Sequence, residues 1–123
     1  VHTDVHSAKV RDVRATPFAA VHVWDASAHL QVRLETDVTI LTGLDVASIW
    51  AGVPAGSRLS YGSIPAPGQP IPQALDYTKT MDGGAFVVLK LQILAIDALH
   101  LGQNHRRARF DRESGWSGEW LAP

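Results

Sequence analysis

The strongest pattern in the chain is an alternation of apolar and polar positions between Leu30 and Ile40. Leu30, Val32, Leu34, Val38 and Ile40 alternate with Gln31, Arg33, Glu35, Asp37 and Thr39. Neighbouring side chains of a β-strand point to opposite faces, so this period predicts a half-buried strand with one apolar and one polar face. Phe18 to Trp24 is rich in β-formers and predicts the strand before it. Asp25 to Ala28 is the turn, which makes the pair an antiparallel hairpin. Phe86 to Leu101 is a long apolar run with β-branched residues and predicts a buried strand. A turn at Gly102–Asn104 leads to a second alternating stretch, His105 to Arg112. There Arg107, Arg109 and Asp111 face one way and Ala108 and Phe110 the other. Trp116 to Leu121 is a last short strand.

Helical signals are fewer. Ala8 to Ala15 predicts a short helix with Ser7 as N-cap, Val10 and Val13 on one side, and Pro17 as its stop. Thr42 followed by Asp45 resembles a capping box and predicts a helix over Leu44–Ala51. Val53 to Gly84 reads as a long irregular stretch with a short helical turn near Ser57–Tyr61. It holds every proline except Pro17 and Pro123. A loop of this length in a compact domain is usually functional or covers a partner subunit. Five strands and two helices predict a single domain over residues 1–123, mainly β with short helices, arranged as a small antiparallel barrel.

Composition narrows the function. Hydrophobic residues make up 46%, enough for a core. A formal net charge of −1 argues against a nucleic-acid or membrane-surface binder. With no cysteine, disulfides and thiolate metal sites are excluded. The histidines are scattered, and the one pair at helical spacing, His2 and His6, precedes the predicted helix, so no metal site is expected.

Three groups of residues offer chemistry. Thr3, Ser7 and Lys9 put two hydroxyls and an ammonium beside a helix N-terminus, where unpaired N–H groups and the helix dipole suit a phosphate. An N-cap with a solvated lysine is the plainer account of the same residues. Gln31 lies on the polar face of the best strand, and its amide both donates and accepts, which suits a heterocycle edge. A solvent-facing strand residue is the plainer account. His105, Arg107 and Arg109 share one face of the last basic stretch, where arginine forks bind phosphate or carboxylate or simply form the charged face of an exposed strand.

The order of these pieces resembles a known family. The stretch TDVHSAKVRDVRATPFAAVHVWDASAHLQVRL is similar to the pattern of the pyridoxamine 5′-phosphate oxidases and their relatives, and LHLGQNHRRARFDRESGWSGEWLAP resembles that family's closing strands. The resemblance implies an antiparallel split β-barrel that forms a homodimer with FMN at the subunit interface. It places Ser7 and Lys9 on the FMN phosphate, His2 and Thr3 along the cofactor, and Gln31 on the isoalloxazine ring. Arg109 falls on a flavin-contacting arginine that serves the FMN of the other subunit. Ala8 stands where the family has a phosphate-binding arginine. The family's substrate-phosphate positions read Trp50, Pro54 and Ser57 or Arg58, and those of its closing strand read His105 and Arg107, so the pyridoxamine phosphate site is not reproduced. Arg58 and Tyr61 become candidates for ligand contact or for packing. The family's N-terminal helix and first strands have no counterpart in the chain. The expected function is a cytoplasmic FMN-dependent oxidoreductase of undefined small-molecule substrate, with no nucleic-acid or membrane partner. The alternatives are a non-catalytic flavin- or haem-binding split barrel and an interaction domain without cofactor.

Overall fold

A computed structural model describes all residues, Val1–Pro123. The chain divides into two compact units. Unit 1 comprises Val1–Pro17 with Thr39–Lys90, and unit 2 comprises Phe18–Val38 with Leu91–Pro123. The strands are β1 (His2–Asp4), β2 (Phe18–Asp25), β3 (Leu30–Leu41), β4 (Ser63–Ile64), β5 (Thr78–Lys79), β6 (Phe86–His100), β7 (Arg106–Asp111) and β8 (Gly118–Leu121). The helices are α1 (Ala8–Ala15), α2 (Ala47–Gly52) and α3 (Ala55–Arg58). The main sheet runs in the order β2-β3-β6-β7-β8, with β1 added to β6. It runs from β2 at one end to β8 at the other without closing, and the chain is mainly antiparallel sheet with short helices, as expected.

In unit 1, β1 pairs antiparallel with the start of β6, Thr3 opposite Val87 and Asp4 opposite Phe86. The strand is too short to show a period, so the sequence pattern missed it. The core gathers around Phe86, which is 1% exposed, with Val46, Val53, Tyr61, Ala85 and Val88. Trp50 packs against this cluster, its ring centroid 5.1 Å from that of Phe86 and 5.6 Å from that of Tyr61. Val10 and Val13 are the buried residues of α1, as their spacing predicts.

Two corrections concern caps. The Thr42–Asp45 capping box does not form, because neither side chain caps a helix there; Gly43 takes a positive φ of 58° and the segment starts as a 3₁₀ turn over Gly43–Val46 before α2. The helical turn expected at Ser57–Tyr61 starts earlier, as α3, because Pro54 supplies the extended residue before it. The rest of the irregular stretch holds the small β4–β5 hairpin.

In unit 2, β2 and β3 form the predicted hairpin, Phe18 opposite Asp37 through Asp25 opposite Leu30. Its turn is tied by the Asp25 carboxylate, which accepts from the Ser27 and Ala28 amides and from the Ser27 hydroxyl. Thr36 interrupts the apolar face of β3. It is buried, and its hydroxyl donates to the Ala19 carbonyl at 2.8 Å. The polar face carries Gln31, Arg33 and Glu35 on β3 and Arg107, Arg109 and Asp111 on β7.

Replacing Phe86 with alanine is expected to cost about 3–5 kcal/mol in urea unfolding, since it empties the centre of the unit 1 core. Leu44→Ala, at a side chain 95% exposed, is expected to stay within about 0.5 kcal/mol of the parent. Equal costs would contradict this placement of the core.

Candidate functional site

Alternation along β1 decides what each side of it offers. Thr3 points one way, and His2 and Asp4 point the other. On the Thr3 side, the Thr3 and Ser7 hydroxyls lie 3.2 Å apart, and Lys9 Nζ donates to Thr3 Oγ1 at 3.2 Å. Thr3 and Ser7 are buried while Lys9 is exposed. Ser7 holds the N-cap position of α1 but makes no side-chain cap bond; its hydroxyl is turned to Thr3 instead. The first intrahelical bonds run from Val10 and Arg11 to the Ser7 carbonyl. The Ala8 and Lys9 amides therefore stand at the open end of the helix. Two hydroxyls, one ammonium and this helix start converge, which is the donor set a phosphate needs.

On the other side of β1, the Asp4 carboxylate is buried and accepts from the His6 and Gly62 amides, both at 2.8 Å. His2 meets Phe86 edge-on at 5.1 Å. A pocket of about 520 Å³ opens here, lined by His2, Ser48, Ile49, Val53, Ser57 and Tyr61 among others. Burial first, and then the Asp4 charge, push the Tyr61 hydroxyl above its ordinary pKa, so it stays neutral. The structure thus separates His2 from Thr3, Ser7 and Lys9, with which the sequence groups it.

Trp50 and Tyr61 sit in the aromatic core. Arg58 is committed to the end of α2. Its Nε donates to the Val53 carbonyl at 3.0 Å, and NH2 donates to the Trp50 and Ala51 carbonyls at 3.1 and 2.9 Å. Its guanidinium also lies 5.1 Å from the Trp50 ring centroid.

In unit 2, Gln31 is half-buried opposite Trp24. Arg109 shares the polar face with it but is held by two carboxylates. NH1 and NH2 donate to Glu35 at 3.3 and 3.1 Å, Nε donates to both Asp111 oxygens at 3.1 Å, and NH2 lies 2.9 Å from Asp111 Oδ1. Arg107 forks onto Asp97, with NH2 2.6 Å from Oδ2. His105 is exposed ahead of β7. Glu35 and Asp97 are held below the usual carboxylate range, Glu35 chiefly by its bond from Arg109 and Asp97 chiefly by its bond from Arg107. The residues that sequence reasoning missed are the acids: Asp4, Glu35, Asp97 and Asp111. For Glu35 the signal was present, since it shares the polar phase of β3. For Asp97 it was hidden inside an apolar run. No group of three or more His, Asp or Glu side chains is placed to hold a metal ion. No helix is long and apolar enough to cross a membrane.

No protein-family model matches the sequence, and no curated protein matches it. Solved structures do. A pyridoxamine 5′-phosphate oxidase-related, FMN-binding protein from Nostoc punctiforme PCC 73102 superposes with a TM-score of 0.79 at 25% identity, over 99% of this chain and 71% of that one. The chain has the fold of the pyridoxamine 5′-phosphate oxidase-related proteins. PhzG from Burkholderia lata 383, solved in complex with tetrahydrophenazine-1-carboxylic acid, superposes with a TM-score of 0.75 at 16% identity, over 99% of this chain and 67% of that one. At that identity the likeness concerns the fold alone.

The paired acids set the acid sensitivity of unit 2. A carboxylate whose folded pKa is depressed stabilises the fold above its unfolded pKa and loses that contribution as pH falls through the folded one. Urea midpoints are expected to hold at neutral pH and to drop from about pH 4 downward. Arg107→Gln, which removes the Asp97 partner, is expected to make that drop shallower. An unchanged slope would contradict the pairing.

Proposed function

We propose that the chain is an FMN-binding flavoprotein, an oxidoreductase related to pyridoxamine 5′-phosphate oxidase, that works as a homodimer with FMN at the subunit interface. The observation that carries this reading is the Thr3–Ser7–Lys9 cluster at the start of α1, within a fold shared with an FMN-binding protein. Lys9 supplies charge to the FMN phosphate, the Thr3 and Ser7 hydroxyls supply neutral donors, and the Ala8 and Lys9 amides complete the cradle. Ala8 offers its backbone amide and no side-chain charge, so Lys9 carries the electrostatic share alone. A bound flavin supplies the two-electron hydride chemistry, and the protein orients it and excludes competing reactions. Gln31 and Arg109 are the proposed ring contacts. The split-barrel form and a cytoplasmic location belong to the same proposal.

A second reading, a non-catalytic flavin or haem binder on the same fold, draws on Arg109. Its donors are largely spent on Glu35 and Asp111, which leaves little of its charge to tune a ring. Bleaching by a reductant and recovery in oxygen, coupled to turnover of an added donor, supports the enzyme; uptake of haem by a colourless protein supports the binder.

The purified protein is expected to be yellow and to release FMN on denaturation. Lys9→Ala is expected to weaken FMN binding about tenfold, the equivalent of about 1.4 kcal/mol, with an unchanged circular dichroism spectrum. Undiminished FMN affinity in Lys9→Ala would remove the proposed phosphate site.

A further inference from the structure

The pocket on the His2 side of unit 1 carries an inference about what enters it. Its volume, about 520 Å³, is that of a small-molecule site. Ile49 and Val53 give it apolar walls, and the His2 and Tyr61 rings give it flat ones. Its polar groups are the Ser48, Ser57 and Tyr61 hydroxyls and the His2 imidazole, and no lysine or arginine lines it. Arg58, the cation one residue beyond Ser57, cannot reach in without giving up the three carbonyl bonds that close α2. The Asp4 carboxylate lies on the same side of β1 and adds negative charge. An anion entering here would be desolvated without a countercharge, a strongly unfavourable transfer.

We propose that this pocket binds an uncharged ring compound with a hydroxyl group, of the phenol class, and rejects phosphate monoesters. In this proposal the lining residues Ser48, Ser57 and Tyr61 take the ligand's polar end, and the ring packs on Ile49 and Val53. That this ligand is the substrate rests on the flavoprotein reading; the ligand class does not.

The test titrates the full chain with 4-ethylphenol and, separately, with phenyl phosphate, and follows backbone amide shifts. 4-Ethylphenol is expected to move Gly52, Val53, Ser57 and Tyr61, with phenyl phosphate at least tenfold weaker at the same residues. Phenyl phosphate effects at Ala8 and Lys9 report the other side of β1 and are scored apart. Tyr61→Phe, which deletes one hydroxyl, is expected to weaken 4-ethylphenol about 3- to 10-fold. Ser57→Lys, at an exposed position, is expected to turn the preference toward phenyl phosphate. Equal or tighter phenyl phosphate binding to the parent pocket, or no shift there with 4-ethylphenol, overturns the proposal. FMN content of the same sample separates the two readings. A yellow protein that prefers phenyl phosphate here overturns the pocket assignment alone. A colourless one that binds 4-ethylphenol here overturns the flavoprotein reading and leaves the pocket standing.

Discussion

Asp4 accepts one hydrogen bond from the His6 amide and one from the Gly62 amide, and both proposed sites flanking β1 depend on that arrangement. The first bond shapes the turn that delivers Ser7 and Lys9 to the start of α1. The second fastens the chain beside Tyr61, which lines the pocket on the opposite side. Gly62 has a φ of 76°, and a Cβ there would lie 2.6 Å from Asp82 Cβ, so the anchored amide needs glycine both for conformation and for space. Charged hydrogen bonds to a buried carboxylate are among the stronger polar contacts, and losing either partner leaves a costly unpaired group.

Charge is arranged differently in the two units. Unit 1 leaves Lys9 exposed at a helix start, its ammonium touching one hydroxyl. Unit 2 neutralises two of its arginines internally, Arg107 on Asp97 and Arg109 on Glu35 and Asp111. The basic run His105–Arg109 therefore presents far less positive charge than its sequence suggests. A cation already forked onto carboxylates is a poor partner for another anion, whereas the Lys9 corner retains donors for one. This contrast is why the anion site is proposed in unit 1.

The regular parts of the fold were legible in the sequence because they repeat. β3 alternates over a long stretch, β2 is rich in β-formers, α1 has its two valines at helical spacing, and β6 is a sustained apolar run. What was not legible depends on single contacts. β1 is three residues long and is held by its pairing with β6 rather than by any pattern of its own. The cap at Thr42 failed because Gly43 adopts a left-handed conformation that a capping box does not accommodate. In the candidate site, the Thr3–Ser7–Lys9 grouping follows from local spacing and was readable. The partners of Arg58 and Arg109 were not: Arg58 turns back onto the carbonyls that end α2, which no side-chain pattern marks, and Arg109 meets Glu35 from a distant strand.

The account turns on an anion seated where α1 opens, and amide chemical-shift mapping with FMN tests that most directly. As FMN saturates the protein, the Ala8 and Lys9 backbone amides are expected to show the largest shifts in unit 1, with the Ser7 amide moving beside them. Saturation with those amides unmoved would contradict the account, whatever else in the spectrum changed.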